Sequence, residues 1–91
     1  MIVDLQKFIA NGRPHWNGLE TMLNHIEAEP DGRLTLAEAQ KFHLLYERTA
    51  ADLAKVTTFS SEAETRRYLE NLVARAYGEI HETREKRRLR G

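Results

Sequence analysis

The stretch from Thr35 to Val56 constrains the fold most strongly, because its apolar residues recur at helical spacing. Thr35 followed by Glu38 forms a capping box, in which the hydroxyl accepts a bond from a free helix N–H and the carboxylate accepts one from the backbone of the cap residue. The spacings of three and four that follow predict an amphipathic helix packed inside a bundle. The residues of this seam are Ala39, Phe42, Tyr46, Thr49, Leu53 and Val56.

The segment before this helix predicts further helical structure. Asp4 can cap a short first helix, and Asn11-Gly12 predicts its end because both residues tolerate positive φ. Pro14 suits the first turn of a new helix, which we expect to run to about Glu29. The apolar seam of that second helix consists of Trp16, Leu19, Leu23 and Ile26.

The last segment predicts a long helix that starts at a second capping box, Ser61 with Glu64. Short connections between the three main helices favour antiparallel neighbours. The predicted fold is therefore all-α, an antiparallel three-helix bundle with a short additional N-terminal helix. The apolar stripe of the last helix is Leu69, Leu72, Val73, Ala76, Tyr77 and Ile80.

The predicted turn near residue 59 also suggests polar pairs between the second and third main helices. If facing residues are related by that turn, Glu47 lies near Arg75, and Asp52 lies near Arg67 or Asn71. We expect polar cross-links at these positions.

The charge of the chain is unevenly distributed. Residues 1–83, the predicted bundle domain, carry nine Lys/Arg and thirteen Asp/Glu, whereas residues 84–91 carry five and one. An acidic body argues against nucleic-acid binding by the bundle. The basic helical extension 84–91 is either a solvated helix end or a juxtamembrane segment attracted to anionic lipid. The lipid-facing candidates are Arg84, Lys86, Arg87, Arg88 and Arg90.

Other classes of protein are excluded by composition. The 91 residues suit one small domain, and the absence of cysteine excludes disulfides and thiolate metal sites. No apolar run is long enough to cross a bilayer, and the N-terminus lacks the basic and apolar regions of a signal peptide.

Histidine and carboxylate residues give the chain weak candidates for chemistry. His43 and Glu47 are four residues apart, as are two other His/Glu pairs, but the Glu-x-x-His pattern of di-iron bundles is missing. We therefore expect no metal and no cofactor. Asp52 lies near the central seam, where a carboxylate can act in catalysis or simply fix helix register. One alternative is thus a small cytosolic helical enzyme or metal-binding bundle that uses Asp52, Arg75 and the histidines.

Three ordered motifs resemble a known family. They lie in residues 8–20, 45–54 and 67–77 and contain the patterns Arg-Pro-x-Trp-x-x-Leu, Leu-Tyr-x-x-x-x-x-Asp-Leu-Ala and Tyr-Leu-x-x-Leu-Val-x-Arg-Ala. In this order and spacing they resemble the N-terminal cytoplasmic region of the stage II sporulation protein M family of bacterial membrane proteins. The residues taken from these motifs as fold and interface candidates are Arg13, Trp16, Tyr46, Asp52, Tyr68 and Arg75.

The resemblance implies a non-catalytic protein–protein interaction module on the cytoplasmic face of the bacterial inner membrane. Members of that family carry transmembrane helices after this region and act with partner membrane proteins in a complex that remodels peptidoglycan during engulfment. The present sequence reaches Gly91 without such a span. We therefore expect either the soluble domain of a longer protein or a free-standing cytoplasmic relative. A second alternative is a homodimer that completes its core by pairing.

Overall fold

Three α-helices make up the described part of the chain. The computed structural model describes residues 5–29, 34–59 and 63–90, with the side chains of residues 59 and 82–90 left aside. The helices are α1 (Leu5–Ala28), α2 (Leu36–Phe59) and α3 (Ala63–Arg90). Each packs against the other two, and the described residues contain no strand. The predicted all-α three-helix bundle is confirmed.

Side-chain bonds between helices define their directions. Tyr68 bonds to Glu20, and Arg75 bonds to Glu27. Residue numbers thus rise together in α1 and α3, so these two helices run parallel. Trp16 bonds to Asp52, whereas His25, later in α1, lies near Glu38, which is earlier in α2. Therefore α2 runs antiparallel to both of its neighbours.

The short additional N-terminal helix is the main error of the sequence prediction. Helix α1 continues from Leu5 through Asn11, Gly12 and Pro14 to Ala28. A proline inside a helix costs about 3 kcal/mol. Residues before it nevertheless pack against the same core as those after it, so one continuous helix buries both halves of the apolar seam. Those early residues are Leu5, Phe8 and Ile9.

The predicted seams form the core, with exceptions at one end of the bundle. Ala39 is exposed, and Phe42 is the first buried residue of α2. Tyr77, which was assigned to the apolar stripe, is 56% exposed because it lies about 100° around α3 from buried Ala76. The buried apolar core consists of Trp16, Leu19, Leu23, Ile26, Phe42, Val56, Leu69, Leu72 and Ala76.

The start of α2 agrees with the sequence prediction. The Thr35 N–H donates to Glu38 Oε1 at 2.9 Å, and the Glu38 N–H donates to Thr35 Oγ1 at 3.1 Å. The bond from the Thr35 N–H holds the pKa of Glu38 below its usual value, because it favours the ionised carboxylate. The second predicted capping residue, Ser61, lies outside the described residues.

Candidate functional site

The centre of the bundle holds a tryptophan that lies flat against its own helix. Trp16 is 1% exposed, and its indole ring covers the backbone one turn earlier, at Gly12. A Cβ atom on Gly12 would lie 2.4 Å from Trp16 Cζ2, which is closer than van der Waals contact allows. The glycine that suggested a helix end in the sequence therefore makes room for an aromatic ring within a continuous helix.

Trp16 joins α1 to α2 through a buried carboxylate. Its Nε1–H donates to Asp52 Oδ2 at 2.9 Å, and Asp52 is only 2% exposed. Arg48, one turn earlier in α2, donates its Nε–H to both Asp52 oxygens at 3.2–3.3 Å. We call these three side chains the Trp16–Asp52–Arg48 bridge. The buried negative charge is thus bonded on one side and neutralised on the other, as burial of a carboxylate requires.

Two further aromatic rings pack around this bridge. The ring centroids of Phe8 and Trp16 are 5.8 Å apart, and those of Trp16 and Tyr68 are 6.3 Å apart in an edge-to-face arrangement. The Tyr68 hydroxyl donates to Glu20 Oε1 at 3.1 Å. Burial raises the pKa of Tyr68, and the nearby negative charge of Glu20 raises it further, so Tyr68 stays protonated and continues to donate.

A second polar connection, which we call the Arg75 clasp, joins α1 to α3. Arg75 donates from Nε and a terminal nitrogen to the two carboxylate oxygens of Glu27, at 3.2 and 2.8 Å. The same terminal nitrogen donates to Asn24 Oδ1 at 2.9 Å. The hydrogen bonds from Arg75 hold the pKa of Glu27 below its usual value, and the same bonds raise the pKa of Arg75.

The predicted cross-links between α2 and α3 are therefore wrong. Arg75 bonds to α1 rather than to Glu47, which instead pairs with His43 on its own helix at 2.7 Å. Asp52 bonds to Trp16 and Arg48 rather than to Arg67 or Asn71. The prediction used only the turn between α2 and α3, whereas the side chains of Asp52 and Arg75 both bond to residues of α1.

The remaining sequence candidates lie outside the bridge. Arg13 is exposed on α1, and its charge opposes the rise in the pKa of Tyr68. Tyr46 is half-buried against the core and stacks on His43 with ring centroids 6.3 Å apart. The candidate residues are thus brought together only in part, around Trp16.

Gly12 and Arg48 were not predicted from the sequence as partners of Trp16 and Asp52. Each lies four residues before the side chain that it contacts. The sequence patterns Gly-x-x-x-Trp and Arg-x-x-x-Asp could therefore have indicated both contacts. The predicted seam of α2 contains Thr49, and burial there has a consequence for its hydroxyl. The Thr49 hydroxyl is buried and has no hydrogen-bond partner among the described residues.

Asp52 and Arg75, which the enzyme and metal-binding alternative combines, do not share a site among the described residues. Asp52 and Arg75 belong to separate networks, one bonded to Trp16 and Arg48 and the other to Glu27 and Asn24. Within the described ranges, no group of three or more His, Asp or Glu residues could hold a metal ion. A surface cavity of about 260 Å³ lies between α1 and α2 but includes neither Asp52 nor Arg75. Its lining residues are Thr21, Met22, His25, Leu34 and Glu38.

The basic extension continues the third helix. Among the described side chains, Ile80 is the last of α3 that packs against the core, and the helix runs on to Arg90. The side chains of the candidates Arg84, Lys86, Arg87, Arg88 and Arg90 lie outside the described set. No helix in the described part of the chain is both long and apolar enough to cross a membrane.

Fold and site together define a small three-helix domain in which the polar and aromatic residues of the bridge and the Arg75 clasp connect one helix to another. By its sequence the chain belongs to the family described as Domain of unknown function (DUF8413), whose model matches residues 6–82. The match includes the bridge and the Arg75 clasp and ends before the basic cluster. No curated protein and no solved structure matches the chain.

Proposed function

We propose that this chain is a non-catalytic interaction module at the cytoplasmic face of a bacterial membrane. In this proposal the bundle docks a protein partner, and the basic end of α3 contacts anionic lipid. The resemblance to the stage II sporulation protein M family supports this role, since members of that family act with partner membrane proteins. The proposal extends to other envelope complexes, because the motifs carry no information about sporulation itself.

The observation that carries the proposal is the length of α3 after its last described core residue. Ten residues of α3 follow Ile80, the last described side chain that packs against the core. At about 1.5 Å per residue this helical segment spans on the order of 15 Å. The sequence places five basic residues in it, and each contributes about 1 kcal/mol of attraction near an anionic bilayer.

The bonding of the motif residues supports a role without catalysis. Trp16 and Asp52 are bonded to each other inside the core, and Arg75 is held by Glu27 and Asn24. Residues of this kind fix helix positions and leave the outer surfaces of the helices for contacts. The homodimer alternative stays a prediction, which sedimentation at increasing protein concentration decides.

Vesicle co-sedimentation tests the lipid contact. The chain is mixed with vesicles of phosphatidylglycerol and phosphatidylcholine, or of phosphatidylcholine alone. We expect binding only to the anionic vesicles, and Arg87→Gln/Arg88→Gln should weaken it by about 2 kcal/mol, roughly thirtyfold, at low salt. The matched control is Arg66→Gln/Arg67→Gln, an adjacent arginine pair within the bundle. Equal effects of the two double variants, or equal binding to both vesicles, would refute the lipid contact.

A further inference from the structure

A row of basic side chains runs along the outside of α2. Lys41, Arg48 and Lys55 are spaced by seven residues, so they lie on one face of the helix about 10 Å apart. Lys41 and Lys55 are exposed, and the Arg48 side chain is 44% exposed. This row is a local exception in a body whose acidic residues outnumber its basic ones, thirteen against nine over residues 1–83.

The middle member of the row is held in a fixed direction. Arg48 donates its Nε–H to Asp52, and Asp52 is itself fixed by the buried bond to Trp16. These bonds use only Nε, so the two terminal nitrogens of this partly exposed side chain are not used by Asp52. A guanidinium oriented in this way loses little conformational entropy when it binds a carboxylate.

The row lies on α2 next to the side that faces α1. Lys41 and Arg48 each precede by one turn a residue that faces α1, namely Leu45 and Asp52. Leu45 lies 3.5 Å from where a Cβ on Gly18 would be, so α1 and α2 approach closely there. Along this side of the bundle, basic side chains on α2 thus lie near a small residue on α1.

An exposed apolar side chain lies next to the row. Leu44 is 68% exposed and stands between Lys41 and Arg48 in the chain. An exposed apolar residue beside regularly spaced charges offers an amphipathic partner helix both an apolar contact and ionic contacts.

We propose that this face docks an acidic amphipathic helix of a partner protein, which adds a fourth helix to the bundle. Carboxylates repeated every seven residues on such a helix match the row in both sign and spacing. The acidic remainder of the body repels the same helix from other faces, so charge also directs where it binds. Lipid headgroups impose no repeat of seven, so the spacing favours a helix over a membrane here. This inference rests on the protein-docking part of the proposed function and is independent of the lipid contact.

A titration with a defined peptide tests the proposal. The probe is a synthetic helix of three heptads with a Leu/Ala seam flanked by Glu, and the control peptide has Gln in place of each Glu. The full chain, labelled with ¹⁵N, is titrated with each. We expect saturable binding of the Glu peptide alone, with amide shifts confined to α2 and the facing side of α1. Lys41→Gln/Lys55→Gln should weaken binding about fivefold, and Arg66→Gln/Arg67→Gln should not.

Each outcome of the peptide titration and the vesicle assay either supports or overturns the docking proposal. Amide shifts on α3, equal binding of both peptides, or no saturable binding would overturn the proposal. If Lys41→Gln/Lys55→Gln lowers vesicle binding as much as Arg87→Gln/Arg88→Gln does, the row is a lipid surface and the helix proposal is wrong. Peptide binding in a chain that ignores anionic vesicles would instead support the docking face and refute only the lipid contact.

Discussion

The two polar connections of the bundle use bonds of nearly the same length in very different surroundings. In the Trp16–Asp52–Arg48 bridge the bond from Trp16 to Asp52 is 2.9 Å, and the Asp52 side chain is 3% exposed. In the Arg75 clasp the shortest bond is 2.8 Å, but the Glu27 side chain is 43% exposed and that of Arg75 is 25% exposed. Water can solvate the charged groups of the clasp when its bonds break, whereas the buried Trp16–Asp52 bond of the bridge would break without water to replace it. Burial, rather than bond length, therefore determines what each connection contributes.

The largest expected effect comes from removing the indole ring of the bridge. Trp16→Ala deletes the largest core side chain and leaves the Asp52 carboxylate without its buried donor. We expect a loss of about 3–5 kcal/mol in the free energy of unfolding, measured by urea denaturation. Since small domains have only about 5–15 kcal/mol in total, this variant should be close to unfolding. A loss below about 1 kcal/mol would show that Trp16 does not organise the core.

Two glycines offer a sharper test, because they lie in helices but in different surroundings. Gly12→Ala places a methyl group 2.4 Å from the indole, so we expect a loss of about 1–3 kcal/mol despite the better helix propensity of alanine. Gly78→Ala meets no atom within 4 Å, and we expect a gain of about 0.5–1 kcal/mol. Denaturation curves of both variants check the pair. If both substitutions stabilise the protein, the indole does not lie over Gly12.

These two glycines also illustrate what could be predicted from the sequence. The apolar seams and the Thr35–Glu38 capping box were predictable, because they depend on spacing within one helix. The continuity of α1 through Gly12 was not, because it depends on where the Trp16 ring lies in the folded core. The partners of Asp52 and Arg75 were missed for a related reason. Cross-links depend on how each helix is rotated about its axis, and spacing along one helix does not determine that rotation.

The buried hydroxyl of Thr49 gives a prediction of opposite sign. Thr49 is fully buried, and its Oγ1 has no partner among the described residues. Thr49→Val keeps the shape of the side chain and removes the unbonded hydroxyl, so we expect a gain of about 1 kcal/mol. Thermal denaturation of the variant measures it. Destabilisation by a similar amount would mean that the hydroxyl is bonded in solution.

The smallest expected effect concerns the clasp and depends on pH. The pKa of Glu27 is lowered by its bonds from Arg75. The clasp therefore contributes its full stability to the fold above pH 4.5, the ordinary pKa, and this contribution is lost as the pH falls through the lowered pKa. The difference in stability between the wild-type protein and Glu27→Gln should therefore be small at neutral pH and should vanish in acid. High salt should reduce it as well. A difference that grows as the pH falls would contradict the sign of this shift.

A double-mutant cycle on Trp16 and Asp52 tests the central claim most directly. Trp16→Phe retains an aromatic ring but removes the N–H donor, and Asp52→Ala removes the acceptor. If the bridge connects α1 to α2 as described, the double variant should lose less unfolding free energy than the sum of the two single losses, by about 1–2 kcal/mol. Additive losses, within about 0.5 kcal/mol, would contradict the account, since the two side chains would then contribute to the fold independently.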